Sequence, residues 1–471
     1  MSNRPKPLLF NAFVQNTVSH IHHGQWRHPD ARQTDFENVD VWVDLARTLE
    51  AGRFDAMFFA DVVGLYGADP NGSYDVNVRE GLQIPNHDPA ILLAALAVST
   101  EHLGLAYTSN IVQQHPFHFA RQVSTLDHIS RGRIAWNIVT GTLENGARNF
   151  GQSLTEHDER YRWAEEYVDV AYKLWEGSWD DGALLKDRER GVYSDPSKVH
   201  KINHRGERYR VDGPHLPSPS PQRTPLLFQA GASAAGQAFA AANAEAVFIA
   251  ASNPDVAAEG IRETRELAVA RGRRPEDILF FQGLSFVIGS TEEEAKRLES
   301  DLDDYVSLDG YLAHMDFGAK PDGTRYAPEA KLADIETEDS RSLLNWILLD
   351  QPDREPRVAD IGPLFARRGR VVGTPEQIAD QLAQWRQAGV DGINVFNWRI
   401  PDSYTSFIDH VMPVLRERGL AKQEYAPGTL RRKLFGTDRL SDRHPAARYR
   451  SAFTPDQPRT TEHSHAEKQQ G

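Results

Sequence analysis

Eight short runs of β-branched and aromatic residues recur along the 471-residue chain, separated by segments with helical periodicity. This alternation is typical of repeated βα units, which build a parallel sheet. The runs are almost continuously apolar, as expected of strands covered on both faces. Eight such units predict an α/β protein with the (β/α)8 TIM-barrel fold. The predicted strands are residues 8–13, 54–61, 103–111, 133–141, 226–231, 244–251, 279–289 and 392–398.

One helix between these strands can be placed residue by residue, in the stretch GTPEQIADQLAQWRQAGVDG. Thr374 is the predicted N-cap, and Pro375 occupies the first turn, where its missing N–H is not needed. Gly389 is the predicted end of the helix. The face expected to be buried consists of Ile378, Leu382 and Trp385.

Two segments exceed a minimal barrel: residues 180–223 after strand four and residues 302–370 after strand seven. The chain length fits one large domain or two. We predict a single barrel domain over residues 1–440 with these two insertions, followed by a polar tail over residues 441–471. Long βα-loop insertions collect around the mouth of a barrel. They are therefore candidate lids and substrate walls, with surface decoration or oligomer contact as the alternative.

Composition narrows the class of protein. The formal net charge of -14 provides no basic field for a nucleic-acid partner. The absence of cysteine removes disulfides, thiolate metal sites, iron–sulfur clusters and cysteine nucleophiles. No window approaches the roughly 18 apolar residues of a membrane helix, and the N-terminus lacks a secretory pattern. We expect a cytoplasmic enzyme that acts on a small molecule and has no membrane partner.

Residues at the carboxyl ends of barrel strands face the active site, so the strand ends provide site candidates. Most of these candidates are neutral hydrogen-bonding groups, whereas a hydrolytic or metal site would be richer in His and carboxylate. Asp61 follows an apolar strand and needs hydrogen-bond donors. A heterocycle with N–H groups is one such partner, and a helix cap or ion pair is the alternative. The candidates are Asp61, Thr108, Ser109, Asn110, Asn137, Thr140, Gly231, Asn397 and Trp398.

The segment LLFQAGASAAGQAFAA consists of a strand, a Gly-rich turn and an Ala-rich helix. A helix N-terminus presents free N–H groups and the positive end of the helix dipole, which suits a phosphate, and Ser233 adds a hydroxyl. Many αβ turns use Gly and Ser without binding phosphate. The segment matches neither a dinucleotide fingerprint, nor a Walker loop, nor a nucleophile elbow.

The stretch EHDERY opens the helix that follows strand four. Thr155 and Asp158 resemble a capping box. His157 and Tyr161 are four residues apart and so share one side of the helix near its positive end. Facing inward, they would form a second clasp for an anion. The alternative is a charged helix head with a core tyrosine.

The N-terminal loop SHIHHGQWRHPD contains an H-x-H motif that invites a metal-dependent amidohydrolase interpretation. That chemistry needs ligands at the ends of strands four, five, six and eight. The ends QAG and IAAS offer none, so we predict no metal. We predict instead that His20 is a loop residue above a cofactor ring.

Many segments in order resemble one family. They include NAF, WRHPD, GRFDAMFFADVVGLY, STLDHISRGRIAWNIVTG, EHDERY, YKLWEGSWDD, QAGAS, VGTPEQIAD and RRKLFG. The chain resembles the bacterial-luciferase-like flavin monooxygenases over nearly its whole length. Within them it is most similar to the branch of nitrilotriacetate monooxygenase component A and dibenzothiophene-sulfone monooxygenase, especially to long-chain alkane monooxygenase.

The resemblance implies a barrel that binds FMN non-covalently, as FMNH2, at the carboxyl ends of the strands. It implies that Tyr161 and Ser233 hold the flavin phosphate with His157 nearby. It further implies flavin-binding roles for Asp61, Ser109, Asn137, Thr140, Gly141 and Gly231. His20, Asn137 and Thr17 are the implied catalytic candidates.

The implied reaction uses O2, inserts one oxygen atom into a small organic substrate and releases the other as water. A separate NAD(P)H-dependent flavin reductase would supply FMNH2, and a homodimer or homotetramer is expected. We further hypothesise that the insertions 180–223 and 302–370 keep water from the reacting oxygen.

Two departures from the family pattern concern the substrate. Gly141 and Thr142 replace the residues expected after strand four, and Thr17 stands where the alkane enzyme carries cysteine. Alkane, organosulfur and aminocarboxylate substrates therefore stay open. A metal-dependent barrel hydrolase and a non-catalytic flavin-binding protein are the rival classes.

Overall fold

The structure is a computed structural model that describes residues 6–67, 73–231, 233–314, 326–335 and 355–454. Each of the eight predicted runs corresponds to one barrel strand, although β1 extends two residues beyond its predicted run 8–13. Five further short strands lie outside the barrel. In chain order the strands are β1 Leu9–Gln15, β2 Ala56–Ala60, β3 Gly104–Asn110, β4 Ile134–Val139, β5 Leu184–Asp187, β6 Val192–Ser194, β7 His204–Arg205, β8 Arg210–Val211, β9 Leu226–Ala230, β10 Ala246–Ile249, β11 Leu279–Ile288, β12 Arg370–Gly373 and β13 Gly392–Phe396.

The barrel closes as a parallel sheet in the order β1, β2, β3, β4, β9, β10, β11 and β13, with β13 returning to β1. The closing pair has Asn11 opposite Asn394, and the Asn11 Nδ2 donates to Asn394 Oδ1 at 3.0 Å. This confirms the predicted TIM-barrel class. It also explains the near-continuous apolar runs, because the strands are buried on both faces.

Phenylalanines fill the barrel interior. Phe58 and Phe228 meet edge to face with ring centroids 5.2 Å apart, and Phe13 packs against Phe396 at 5.1 Å. Ala106 and Ala135 lie in the same cluster and leave room for the large rings. The interior is thus a packed core, and a ligand must bind above it.

Helices surround the strands. The predicted helix after β12 is confirmed: the Thr374 hydroxyl accepts from the Gln377 N–H, and Gly389 follows with a φ of +95°. The helices are α1 Val39–Ala51, α2 Asp75–Glu80, α3 Pro89–Ser99, α4 Pro116–Ile129, α5 Glu144–Asn149, α6 His157–Tyr172, α7 Ala234–Asn243, α8 Pro254–Ala270, α9 Glu292–Asp303, α10 Leu308–His314, α11 Ile361–Ala366, α12 Pro375–Gln387, α13 Asp402–Ser406, α14 Met412–Glu417 and α15 Leu430–Phe435. Within the described ranges, none is long and apolar enough to cross a membrane.

The long connections contain secondary structure of their own. Two antiparallel hairpins, β5–β6 and β7–β8, lie between β4 and β9. Between β11 and β13 the chain forms α10, α11 and β12, and β12 extends the upper part of β11. The Ser307 hydroxyl donates to Glu80 at 2.7 Å, which attaches the start of α10 to α2. Residues 315–325 and 336–354 of the predicted second insertion lie outside the described residues.

The end of the barrel opposite the cavity is covered by α15 and the chain that follows it. Arg431 is fully buried and pairs with Glu245 through Nε and Nη2 at 2.7 and 2.8 Å. The predicted polar tail begins later than residue 441, because residues 441–454 pack on the barrel. The His444 ring lies 2.8 Å from the Asn243 carbonyl, and Ala446 is fully buried. Residues 455–471 lie outside the described part of the chain.

Candidate functional site

A cavity of about 240 Å³ opens at the carboxyl ends of β2, β3, β4 and β9. Five of the predicted site residues line it: Asp61, Asn110, Thr140, Gly141 and Tyr161. The location follows from the barrel, because the strand ends and the βα loops form its mouth.

One end of the cavity is built at the N-terminus of α7. Ser233 caps this helix by accepting from the Gly236 N–H at 3.1 Å, and the Tyr161 hydroxyl lies close to the Ser233 side chain. Two glycines permit this approach: a Cβ at Gly231 or Gly236 would lie 3.0 or 2.8 Å from the Tyr161 hydroxyl. Two hydroxyls therefore meet at the positive end of a helix, a suitable arrangement for an anion.

Arg160, which was not among the predicted site residues, adds a positive charge beside these hydroxyls. It lines the cavity and donates from Nη1 to the Thr155 carbonyl at 2.6 Å. Its Nε is buried and has no hydrogen-bond partner among the residues described. Burial lowers the pKa of the Arg160 guanidinium, which still leaves a cation at neutral pH. The only sequence signal was its position next to Tyr161.

The start of α6 differs from the prediction. Glu156 is the N-cap and makes no side-chain cap, so the predicted Thr155–Asp158 capping box is wrong. His157 does not point into the cavity: its side chain is 47% exposed and its Nδ1 lies 2.8 Å from Asp158. Its ring only touches the edge of Tyr161, with centroids 5.3 Å apart. The exposed carboxylate is a better partner for this imidazole than the half-buried phenol face.

Asp61 occupies the wall at the end of β2. It accepts from Asn86 Nδ2 at 2.9 Å and from Gln113 Nε2 at 3.4 Å. Burial raises the pKa of Asp61 to about 6, because these two neutral donors do not offset the loss of solvent around the charge. The carboxyl therefore titrates near neutrality and can serve as donor or acceptor to a ligand.

Asn137 and Ser109 lie below the cavity floor. Asn137 donates to Thr108 at 2.9 Å, while Ser109 donates to Gln113 at 3.1 Å. The Asn137 Oδ1 is buried without a partner in the described chain, as is the Oε1 of the cavity-lining Gln229. Unpaired buried oxygens are costly unless a ligand or water supplies a donor. They suit a heterocycle that carries N–H groups.

Gly141 forms the turn after β4 at a φ of +76°. A Cβ there would lie 2.4 Å from the Asn110 amide nitrogen, so a serine at this position needs Asn110 to move. The departure noted in the sequence thus has a local cause: glycine accommodates both the left-handed turn and the amide.

The residues present fit FMN. The hydroxyl pair at α7 and the Arg160 guanidinium suit a phosphate, and Asp61 with the unpaired amide oxygens suits the polar edge of an isoalloxazine. Aliphatic side chains between them, such as Val62, Ile138 and Leu143, suit the apolar ring faces.

The structure places His20 and Thr17 differently. His20 stacks on Phe13 with ring centroids 5.2 Å apart and lines a small neighbouring cavity between the N-terminal loop and the end of β13. Burial, followed by the nearby His314, lowers the pKa of His20 to about 3. The Thr17 hydroxyl donates to the Pro85 carbonyl at 2.7 Å, so it is occupied by the backbone and does not line the main cavity.

His314, at the end of α10, is a second neighbour that sequence reasoning missed. Its Nδ1 lies 2.6 Å from His23 Nε2, and its ring packs on Tyr66, a cavity-lining residue, with centroids 4.3 Å apart. No local pattern could reveal this contact, because 291 residues separate the two histidines. No group of three or more His, Asp or Glu side chains is arranged to hold a metal ion within the described ranges.

Comparisons with known proteins extend over most of the chain. The family model described as "Luciferase-like monooxygenase" matches residues 16–392. A long-chain alkane monooxygenase from Geobacillus thermodenitrificans (strain NG80-2) is 42% identical over 450 residues, covering 95% of this chain and 98% of the relative. Dimethyl-sulfide monooxygenase from Hyphomicrobium sulfonivorans is 41% identical over 463 residues, covering 95% of each. A solved riboflavin lyase, with modified FMN and riboflavin, matches at a TM-score of 0.86 and 37% identity, covering 94% of this chain and 100% of that one.

Proposed function

The chain belongs to the luciferase-like monooxygenase family, and from this premise we propose that it is the oxygenase component of a two-component system. It takes FMNH2 from a separate NAD(P)H-dependent reductase, uses O2, and inserts one oxygen atom into a small neutral, apolar substrate. The arrangement that carries this proposal is the anion site at α7, where the Tyr161 and Ser233 hydroxyls meet beside Arg160.

The protein's part in the reaction is binding, orientation and exclusion of water. Tyr161, Ser233 and Arg160 fix the phosphate, and Asp61 with Gln229 fixes the polar edge of the ring. When bound, the reduced flavin supplies the activation of O2. The aromatic and aliphatic wall, including Tyr66, keeps water from the reacting oxygen.

His20 stays neutral at pH 7, since burial lowers its pKa to about 3. A neutral imidazole can donate one hydrogen bond without placing a charge in the apolar site. His20 lines the small neighbouring cavity and not the main one, so its role near the reacting oxygen is supported only by the family resemblance.

The lining favours a neutral substrate over an aminocarboxylate. Asp61 and Arg160 are the only charged side chains among the described residues of the cavity, and Arg160 lies at the phosphate end. A polycarboxylate would bury charges that have no cationic partner, which costs several kcal/mol. Alkanes and organosulfur compounds bring no such cost.

The need for a reductase rests on the sequence. It contains no dinucleotide fingerprint, so nothing in the chain's motifs provides for NAD(P)H. A partner that delivers FMNH2 is the arrangement implied by the family resemblance.

The test compares FMN with riboflavin, which lacks the phosphate. In the Tyr161→Phe/Ser233→Ala double variant we expect FMN affinity to fall about 10- to 100-fold, because two hydrogen bonds to a charged group are lost. Riboflavin affinity should stay unchanged. Tyr193→Phe, at a tyrosine that is 68% exposed on β6, is the matched control. Fluorescence titration measures both, and equal FMN binding by the double variant and the wild type would overturn the assigned phosphate site.

Turnover is tested with a flavin reductase and three substrate classes: alkane, organosulfur and aminocarboxylate. We expect product from a neutral class. Product from the aminocarboxylate alone would overturn the substrate class, and oxygen consumption without product from any class would count against the proposed oxygenation of these compounds.

A further inference from the structure

A chain of three hydrogen-bonding side chains runs from the loop after β1 to the cavity wall. The Ser19 hydroxyl lies 3.0 Å from His23 Nδ1, and His23 Nε2 lies 2.6 Å from His314 Nδ1. Ser19 and His23 are 4% and 1% exposed. We call these three residues the Ser19–His23–His314 relay.

The relay ends beside the candidate site. His314 packs on Tyr66, whose ring forms part of the cavity wall. His20 lies close enough for the charge of His314 to affect its pKa. Tyr311, from the same helix as His314, meets the His23 ring edge-on at 4.7 Å and restrains its plane.

Both relay histidines are neutral at pH 7. Burial lowers the pKa of His314 to about 4 and holds the pKa of His23 well below its ordinary value. Between two neutral imidazoles that share one hydrogen bond, one ring donates and the other accepts. The direction of the hydrogen bonds in the relay therefore depends on which ring nitrogen of each histidine carries the proton, and not on a net charge.

The Ser19 hydroxyl determines the direction of these hydrogen bonds. It has no second hydrogen-bond partner in the described parts of the chain. If it accepted from His23, its own proton would be buried without an acceptor, which is unfavourable. If it donates to His23 Nδ1, then His23 carries its proton on Nε2 and donates to His314 Nδ1. His314 must then carry its proton on Nε2.

We propose that Ser19 and His23 are positioning residues that hold His314 as its Nε2–H tautomer, so that this ring presents a hydrogen-bond donor, rather than a lone pair, next to the Tyr66 wall. A fixed donor stabilises negative charge that develops on oxygen during transfer. This catalytic consequence rests on the proposed function, whereas the tautomer is a property of the protein alone.

The tautomer is tested on flavin-free protein labelled with ¹⁵N-histidine. The ¹⁵N shifts separate protonated from unprotonated ring nitrogens, and loss of a signal in His314→Gln assigns it. We expect His314 protonated on Nε2 in the wild type and in Ser19→Thr, which keeps the hydroxyl. Ser19→Ala should show a mixture of tautomers. A wild-type His314 protonated on Nδ1, or an unchanged tautomer in Ser19→Ala, would overturn the proposal.

The consequence is tested by separating kcat from KM with the reductase and a substrate that the wild type accepts. We expect Ser19→Ala and His23→Phe to lower kcat about 10-fold or more with little change in KM, in the range of a misplaced proton donor or acceptor. His23→Gln should retain more turnover than His23→Phe, because its amide N–H can still donate to His314. Near-UV circular dichroism and FMN affinity check that the variants fold.

Equal kcat in Ser19→Ala and the wild type would remove the catalytic role. A wild-type protein that oxygenates no tested substrate would instead contradict the proposed function, and the NMR measurement would still decide the tautomer.

Discussion

The position of each side chain at the cavity depends on the size of its neighbours. The Tyr161 hydroxyl reaches α7 only because glycines stand at positions 231 and 236. Sequence reasoning predicted Asp61 from a strand end, and Tyr161 and Ser233 from helix starts and the family resemblance. It missed Arg160 and His314. Arg160 resembles any helix-head charge, and His314 reaches the site through a fold that brings together residues 291 positions apart.

The pH dependence of flavin binding should report the ionisation of Asp61. Burial raises its pKa to about 6, so the folded protein holds this proton more tightly than the unfolded chain does. Its contribution to stability is present at low pH and is lost as pH rises through about 6. Over the same window the carboxyl becomes an acceptor for a ring N–H. We therefore expect flavin affinity to rise between about pH 5 and 7.

Riboflavin is the ligand for this measurement, because the FMN phosphate itself ionises near pH 6. Fluorescence titration should show a rising profile for the wild type and a flat one for Asp61→Asn. The same slope in both proteins would show that another group titrates.

At the scale of whole elements, prediction succeeded where the signal is local. The eight barrel strands and α12 follow from apolar runs and a capped, periodic helix. The four-residue β12, which begins where the predicted insertion 302–370 ends, was not predicted as a strand, because its pairing with β11 depends on a distant part of the chain. The hairpins β5–β6 and β7–β8 are too short and too polar to stand out from a loop.

Alanine substitutions at two helix glycines should distinguish an effect on FMN binding from an effect on helix stability. Gly236 in α7 would place a Cβ 2.8 Å from the Tyr161 hydroxyl, while Gly260 in α8 has nothing within 4 Å. Alanine favours a helix over glycine by about 0.5–1 kcal/mol. We expect Gly260→Ala to raise the free energy of unfolding by about that amount and to leave FMN binding unchanged. Gly236→Ala should weaken FMN binding.

Urea unfolding and fluorescence titration provide the two readouts. If Gly236→Ala binds FMN as the wild type does, a Cβ at position 236 does not displace the Tyr161 hydroxyl, and the prediction is wrong.

For the molecule as a whole, the two ends of the barrel are built from different chemistry. The cavity end presents hydroxyls, amides and a carboxyl with spare hydrogen-bonding capacity. The opposite end is closed by the buried Arg431–Glu245 pair, with the guanidinium also donating to the carbonyls of Thr224 and Pro225. This buried ion pair was not predicted from the sequence, since an arginine in RRKLFG resembles a surface residue.

Removing the buried Arg431–Glu245 pair should destabilise the fold without altering the cavity. In Arg431→Ala the Glu245 carboxylate loses its buried partner, which costs about 3–5 kcal/mol. Arg432→Ala is the matched control, because the neighbouring Arg432 pairs with Asp438 at the surface and should matter little. Denaturant unfolding measures both variants, and equal midpoints would contradict the structural role of Arg431.

The closing contact between β1 and β13 also constrains biosynthesis. The first strand cannot find its last neighbour until residue 396 has left the ribosome. Until then the nascent chain carries two open sheet edges, the kind of surface that joins other strands and aggregates. Because the strand order is circular, these two sheet edges need protection from other strands during translation.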